Sequence, residues 1–500
     1  MSAGVVRDVV LVGRDAPVWL AGCVLQQALA PAGVSITVIE LPSRLSAADA
    51  YATLPALEPL HTRLRIEESK LIGVTRGAFT LGKRFVDTSG CAPGFFHAYG
   101  SNGTRIDRKE FLPSWLRART LGMQLPLADF CLTAAAAKRG RMLVPDPQIE
   151  VNGFTDYAYH LPAIAYGALL RFLAIKRGVV AHEAQSANVV LHADGAIAAV
   201  ELDGGRRVDG DFFLDVTGEE GQLMSSLAVQ RESWRGHFVA DRVLVACGAP
   251  IQPIPVYSEV RAWEQGWVAL YPTQICTHIY EAYSSSFLRD EAALQAAMRI
   301  CGTHLHGAEV RACEPGQRAV GWERNCVAIG AAACVFDPVH CVDLQAVQVG
   351  LVHLLHLFPV QAAYEIERAE YNQNVRSAFE RIRDFQSAHY VLNRFGSSSF
   401  WRRARERSVS PELKHKIDTF RARGDVAYYE DETFAIDDWQ ALLLGHGVEP
   451  ESYDPAVERT APDVMQRELG RLLSFIQSKV EEQPSHSDYL QTVCAPPKPM

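Results

Sequence analysis

The first forty residues carry the clearest hydrophobic pattern. Val9 to Val12 is a continuous apolar stretch closed by Gly13, and helix-spaced apolar positions follow from about Val18 to Ala30. A second β-branched run, Ser35 to Ile39, ends in Glu40. Strand, glycine turn, helix, strand and terminal acid predict a dinucleotide-binding βαβ unit, in which the acid would meet a ribose hydroxyl. Alternating segments between Val179 and Phe213 predict short strands with a turn at Asp203-Gly204-Gly205, and Leu214 to Gly218 predicts a strand running into a glycine turn. From about Val360 the texture changes. Glu365 to Asn393 is charged and helix-periodic, and helical stretches continue to about Leu444. Pro450 to Pro462 reads as a linker. Between Val464 and Val480, the residues Leu469, Leu472, Leu473, Ile476 and Val480 share one helical face that would dock on the body. The proline-rich end predicts a mobile tail. The division expected is an α/β body over 1–360, composite and discontinuous, a helical region over 361–450, and linker, docking helix and tail over 451–500.

Composition narrows the function classes. A net charge of -9 without a basic stripe argues against nucleic acid as a partner. The stretch Arg402, Arg403, Arg405 and Arg407 is short and reads as a solvated helix face. Eleven cysteines with no C-x-x-C pair predict buried free thiols in a reducing compartment, with Cys23, Cys247, Cys326 and Cys334 in apolar surroundings. The first strand begins too close to Met1 for a signal peptide. Val347 to Phe358 is broken by Gln348, His353 and His356 and is too short to span a bilayer. A cytoplasmic protein without membrane association is expected. His353 and His356 on a helix, and His304 and His306 on a strand, have spacings that some metal sites use. Both pairs read as structural histidines, and no metal is expected. No internal repeat, G-x-S-x-G, P-loop or H-E-x-x-H motif is present.

Seven local strings bring in a family. They are Ala78-Phe79-Thr80-Leu81-Gly82-Lys83-Arg84-Phe85, Asp215-Val216-Thr217-Gly218, Gly266-Trp267-Val268-Ala269-Leu270-Tyr271-Pro272 and Phe336-Asp337-Pro338-Val339-His340, followed by Phe400-Trp401-Arg402, Tyr429-Glu430-Asp431-Glu432-Thr433-Phe434 and Ser485-His486-Ser487-Asp488-Tyr489. Together, and in this order, they resemble the flavin-dependent tryptophan halogenases over nearly the whole chain. The resemblance implies a Rossmann-type, flavin monooxygenase-like FAD-binding fold with a β-sheet substrate region and a helical C-terminal region. It also implies flavin reduced by a separate reductase, hypohalous acid passed along a tunnel to a lysine, a glutamate near that lysine, and an aromatic substrate.

The parts that carry the chemistry depart from the pattern. Where the family reads G-x-G-x-x-G-W, this chain reads Gly13-Arg14-Asp15-Ala16-Pro17-Val18-Trp19. Asp15 would add bulk and negative charge toward two phosphates, Pro17 removes an N–H from the helix start, and Val18 replaces a packing glycine. Arg14 offsets part of the repulsion. Ala50 to Pro55 lacks the glycine and acid of the G-E-A-T-x-P string, and Glu219-Glu220 follows Asp215 to Gly218 where an aromatic and an arginine are usual. The degenerate cofactor site expected from the resemblance comprises Gly13, Arg14, Trp19, Glu40, Asp215, Gly218 and Gly330, with FAD binding weak or lost. Thr80 stands at the family lysine and His340 at the family glutamate, both expected to be non-functional. Lys83, at an odd strand offset from Thr80, is expected to be a solvated strand residue. In the substrate pocket Trp267 and Pro272 remain, while Ala269 and Tyr271 replace a Trp and an Ile.

The leading expectation is a pseudoenzyme that binds a small aromatic ligand or a partner, either a second copy or an active halogenase. Two alternatives stand beside it. One is an oxidoreductase using FAD loosely with His340, Asp337 or Asp343 as acid–base groups; the other is the family activity with Lys83 supplying the amine.

Overall fold

A computed structural model describes residues 6–144, 154–359 and 364–495. The chain divides into two compact units of three segments each. The first comprises Met1–Arg76, Leu161–Gly236 and Cys313–Arg383, and the second Gly77–His160, His237–Ala312 and Asp384–Met500.

The first unit is built on a six-stranded sheet. Its order is Trp322–Glu323, Cys326–Ala328, Phe212–Val216, Asp8–Gly13, Ser35–Glu40 and Val180–Glu183, parallel except for the first pair. The central strands are apolar throughout because both sheet faces are covered, as parallel sheets require. The helix Asp15–Leu29 returns the chain between the first two strands and packs on the helix Ala163–Lys176. The predicted meander is present as Ala187–Leu191, Ile197–Leu202 and Arg207–Asp209, with its turn at Asp203–Gly205. Gly13 is fixed by packing alone: a Cβ there would lie 2.5 Å from the Val216 carbonyl oxygen on the neighbouring strand.

The second unit holds a seven-stranded sheet. Its order is His306–Ala312, Arg242–Gly248, Thr277–Tyr283, Gly266–Pro272, Ser258–Trp263, Gly82–Asp87 and Phe95–Ala98. The helix Asp290–Cys301 covers one face through Ala293, Ala296 and Ala297 against Leu244, Val268, Leu270 and Ile279. The helical C-terminal region supplies Ser399–Arg405, Pro411–Arg423, Ile436–Gly445, Pro462–Glu482 and His486–Cys494. The docking helix buries Met465, Leu469, Leu472, Ile476 and Val480, whereas Leu473 is only partly covered. The expected linker is anchored instead of free. Arg117 donates to the Val457 and Thr460 carbonyls and pairs with Glu458 at 3.0 Å. The expected mobile tail beyond Ala495 lies outside the described residues. Among the described residues, no helix is long and apolar enough to cross a membrane.

Several family strings serve the packing of this second unit. The Lys416 Nζ donates to Glu432 at 2.6 Å, both side chains being buried, and the Trp439 indole N–H donates to the same carboxylate at 3.1 Å. Trp401 donates to the Trp263 carbonyl at 2.6 Å. Ser485 caps the last helix by accepting from the Asp488 N–H, and His486 Nδ1 donates to the Ile254 carbonyl at 3.0 Å.

Candidate functional site

The C-terminal edge of the parallel sheet is where this fold holds a dinucleotide. Here Asp15, the first residue of the helix, has φ 62°, the left-handed backbone that the family reaches with glycine. Aspartate tolerates that conformation better than most side chains, so the turn survives the loss of its glycine. The consequence is a carboxylate at the helix N-terminus. It accepts hydrogen bonds from the Ser43 hydroxyl and the Arg44 backbone N–H, while burial raises its pKa above the ordinary aspartate value. Arg44 in turn pairs with Glu220 at 2.5 Å. The segment after the second strand is thus tied to the helix start on one side and to the turn after Phe212–Val216 on the other. Arg14 is buried, and its Nε makes no hydrogen bond among the described residues. Burial, and then Arg44, lower its pKa from the ordinary arginine value.

The remaining groups of this edge are engaged with one another. Both Glu40 oxygens are in use, one accepting from the Trp19 indole at 2.7 Å and the other from Arg171 at 2.8 Å. Asp215 is fully buried and accepts from the Thr217 N–H and hydroxyl and from the Met224 N–H, which fixes the turn through Gly218 at φ 90°. Gly330 takes φ 65°, and a Cβ on it would meet Val347 at 2.9 Å. Tyr51 is buried with its ring edge-on to Tyr166. His340 is fully buried behind a turn in which Asp337 accepts from the Val339 N–H. A pyrophosphate held at this helix start would meet the Asp15 carboxylate, and like charges about 4 Å apart near a protein surface repel by on the order of 4 kcal/mol. Pro17 also withholds an N–H from the helix start. The residues present do not fit the FAD pyrophosphate as the family holds it.

The second unit carries the other half of the sequence-derived site. Thr80 ends the short strand Ala78–Thr80, which pairs with Tyr159 and its neighbours, and its hydroxyl donates to the Gly82 carbonyl at 3.0 Å. Lys83 corrects the sequence reading. It is not solvated but 1 % exposed, with its ammonium 4.9 Å from the centroid of the Tyr271 ring. Strands on both sides enclose it, and between Thr80 and Lys83 the strand breaks at Leu81 and restarts at Gly82. That glycine has φ 149°, and a Cβ on it would meet the His97 carbonyl at 2.2 Å.

Strand register explains the company Lys83 keeps. It pairs with Ser258 on one side and His97 on the other, and Tyr271 pairs with His278. His160 closes over Tyr271 at 5.6 Å between ring centroids, donating from Nδ1 to the Pro272 carbonyl at 2.9 Å. Burial, and then the Lys83 charge, bring its pKa down to about 3, so its Nε2 is an acceptor at neutral pH. Trp267 lies deeper on the same strand, with its indole N–H on the Tyr390 hydroxyl at 2.8 Å. The arrangement is one buried ammonium beside the neutral His160 imidazole and the face of Tyr271.

Comparison with known proteins agrees with this architecture. The tryptophan halogenase family model matches residues 8–462. The tryptophan 6-halogenase ThaL of Streptomyces albogriseolus is 23% identical, covering 97% of this chain and 98% of that protein. Among solved structures, the flavin-dependent halogenase BrvH from Brevundimonas sp. BAL3 superposes with a TM-score of 0.92 at 29% identity, over 98% of this chain and 99% of its own. The flavin-dependent halogenase Xcc4156 from Xanthomonas campestris gives 0.92 at 28% identity, over 99% and 100%. With the model match spanning most of its length and the sheet order of a flavin-binding fold, this chain belongs to the tryptophan halogenase family.

Proposed function

We propose that this chain keeps the halogenase fold without the family's halogenation, and acts by binding a small aromatic ligand or a partner protein, either a second copy or an active relative. The observation that carries the reading is the Asp15 carboxylate at the head of the first helix, held there by Ser43 and Arg44. An anion in the place where N–H groups would receive phosphate opposes FAD and adds its own charge to that of Glu220 nearby. Thr80 and His340 support the same reading, because neither offers the amine or the carboxylate at the family positions. The cytoplasmic setting expected from the sequence belongs to this proposal. The test is incubation with a flavin reductase, FAD, NADH and chloride or bromide, with tryptophan and indole as substrates. No halogenated product is expected; a halogenated product overturns the reading.

A second reading draws on Lys83. Its buried ammonium against Tyr271 supports a flavin-dependent enzyme acting on an aromatic substrate, with the amine delivered from the restarted strand and not from Thr80. Under it the wild-type chain turns over substrate and Lys83→Ala does not. Equal activity of the two proteins would remove this reading.

A further inference from the structure

Three strands of the seven-stranded sheet bring ligand-bearing side chains together at one end. Cys247 pairs in register with His278 on one side and with His306 on the other. Directly opposed residues of antiparallel strands point to the same face, so the three stand abreast. Cys276 precedes His278 by two residues and joins them. Its Sγ is 3.4 Å from the Cys247 Sγ and 3.4 Å from the His278 Nε2. The three ligand atoms lie within 4.8 Å of one another. The turn that carries Cys276 is held by Thr273, whose N–H and hydroxyl both donate to the Cys276 carbonyl, at 3.0 and 2.7 Å.

We propose that Cys247, Cys276 and His278 form a binding site for a thiophilic divalent cation, with zinc the expected occupant. Zinc bonds of about 2.3 Å to sulfur and about 2.0 Å to nitrogen set tetrahedral edges of about 3.8 Å between two sulfurs and about 3.5 Å between sulfur and nitrogen. The two separations through Cys276 are within about half an ångström of these edges, and the third, between Cys247 and His278, lies within 4.8 Å. Two thiolates and an imidazole form a soft donor set that favours zinc over magnesium or calcium. Ala249, Pro250 and His306 beside the group are exposed, which leaves a path from solvent. Three protein ligands leave a fourth position for water or an added ligand. The sequence reading looked for C-x-x-C and paired histidines. It passed over a site whose sulfurs are 29 residues apart and joined only by strand register.

The experiment is anaerobic titration of the reduced full-length chain with Co²⁺ as a spectroscopic probe, followed by Zn²⁺ competition. One equivalent is expected to produce thiolate-to-cobalt charge-transfer absorption with tetrahedral visible bands, and Zn²⁺ to abolish both. Cys276→Ser and His278→Ala should each weaken binding by more than about a hundredfold, since even outer-shell changes cost ten- to a hundredfold. Cys91→Ser, which removes an exposed thiol elsewhere, should leave the spectrum intact. In the unmodified chain, one equivalent of Zn²⁺ should also protect two thiols from a thiol reagent, a readout independent of how the variants fold. Absence of the charge-transfer band, its loss in Cys91→Ser, or unprotected thiols at saturating Zn²⁺ would each overturn the proposal. Conversion of the pair to a disulfide in the presence of Zn²⁺ and air would overturn it too.

Discussion

Glu432 and Asp15 are both carboxylates held by neighbouring side chains or N–H groups, one among the C-terminal helices and one at the edge of the six-stranded sheet. Glu432 sits in a string shared with the family, and a buried ammonium and an indole N–H meet it. Asp15 sits where the family has glycine, in a left-handed backbone, and a hydroxyl and a backbone N–H of the following loop meet it. The first network closes a hydrophobic interior and depends on every member. The second includes contacts that are partly solvated, such as Arg44 to Glu220 at 62% and 42% side-chain exposure. The two carboxylates differ in their surroundings: one is enclosed among buried partners, and the other stands beside partly solvated contacts at the sheet edge.

The largest effect that would break this comparison is expected at Glu432. Glu432→Ala leaves Lys416 charged and buried, and should cost about 3–5 kcal/mol in denaturant unfolding. A loss below about 1 kcal/mol would mean the kept string is not a support. A third carboxylate, Glu281, sharpens the point because neither of its oxygens has a hydrogen-bond partner among the described residues. Burial pushes its pKa up to about 9. An unfolded glutamate releases its proton near about 4.3, so stability falls as pH rises from there toward the folded value. Glu281→Leu should therefore be more stable than wild type by several kcal/mol at pH 8, on the order of 5 at the full shift, with the gain shrinking near pH 4 to the cost of burying the neutral acid, about 1–3 kcal/mol. A gain independent of pH would contradict the buried neutral acid.

At the sheet edge the expected effects on stability are smaller and those on binding larger. Asp15→Gly relieves the left-handed backbone but loosens the unfolded chain, so stability should change by no more than about 1 kcal/mol. FAD binding should become detectable or stronger in the same variant. A large destabilisation would show that Asp15 is a support of the same kind as Glu432. Glu220→Gln removes one partner of an exposed ion pair, and should shift stability by less than about 0.5 kcal/mol.

Much of this fold was legible because its strands and helices carry unambiguous periods. Ser35–Glu40, the meander around Asp203, and the apolar stripe of Leu469, Leu472, Ile476 and Val480 appear where the pattern places them. The site was legible only where a motif is local. Thr80 and Asp15 could be read as departures from contiguous strings, but the burial of Lys83 could not, because the strand that pairs with it at Ser258 and the ring of Tyr271 lie far away in sequence. The Cys247, Cys276 and His278 group was invisible for a related reason: register across strands carries no sequence spacing. Pro450 to Pro462 reads as a linker, and its contact with Arg117 was not legible because that residue lies far upstream in the chain.

In the proposed function the phosphate edge no longer receives FAD in the family's manner. This is tested most directly by titrating the purified full-length chain with oxidised and then reduced FAD, following flavin absorbance and fluorescence. The account predicts no saturable binding up to near-millimolar FAD, with binding gained in Asp15→Gly. Tight, stoichiometric binding by the unmodified chain would contradict it, and would turn attention to Arg14 as the group that compensates.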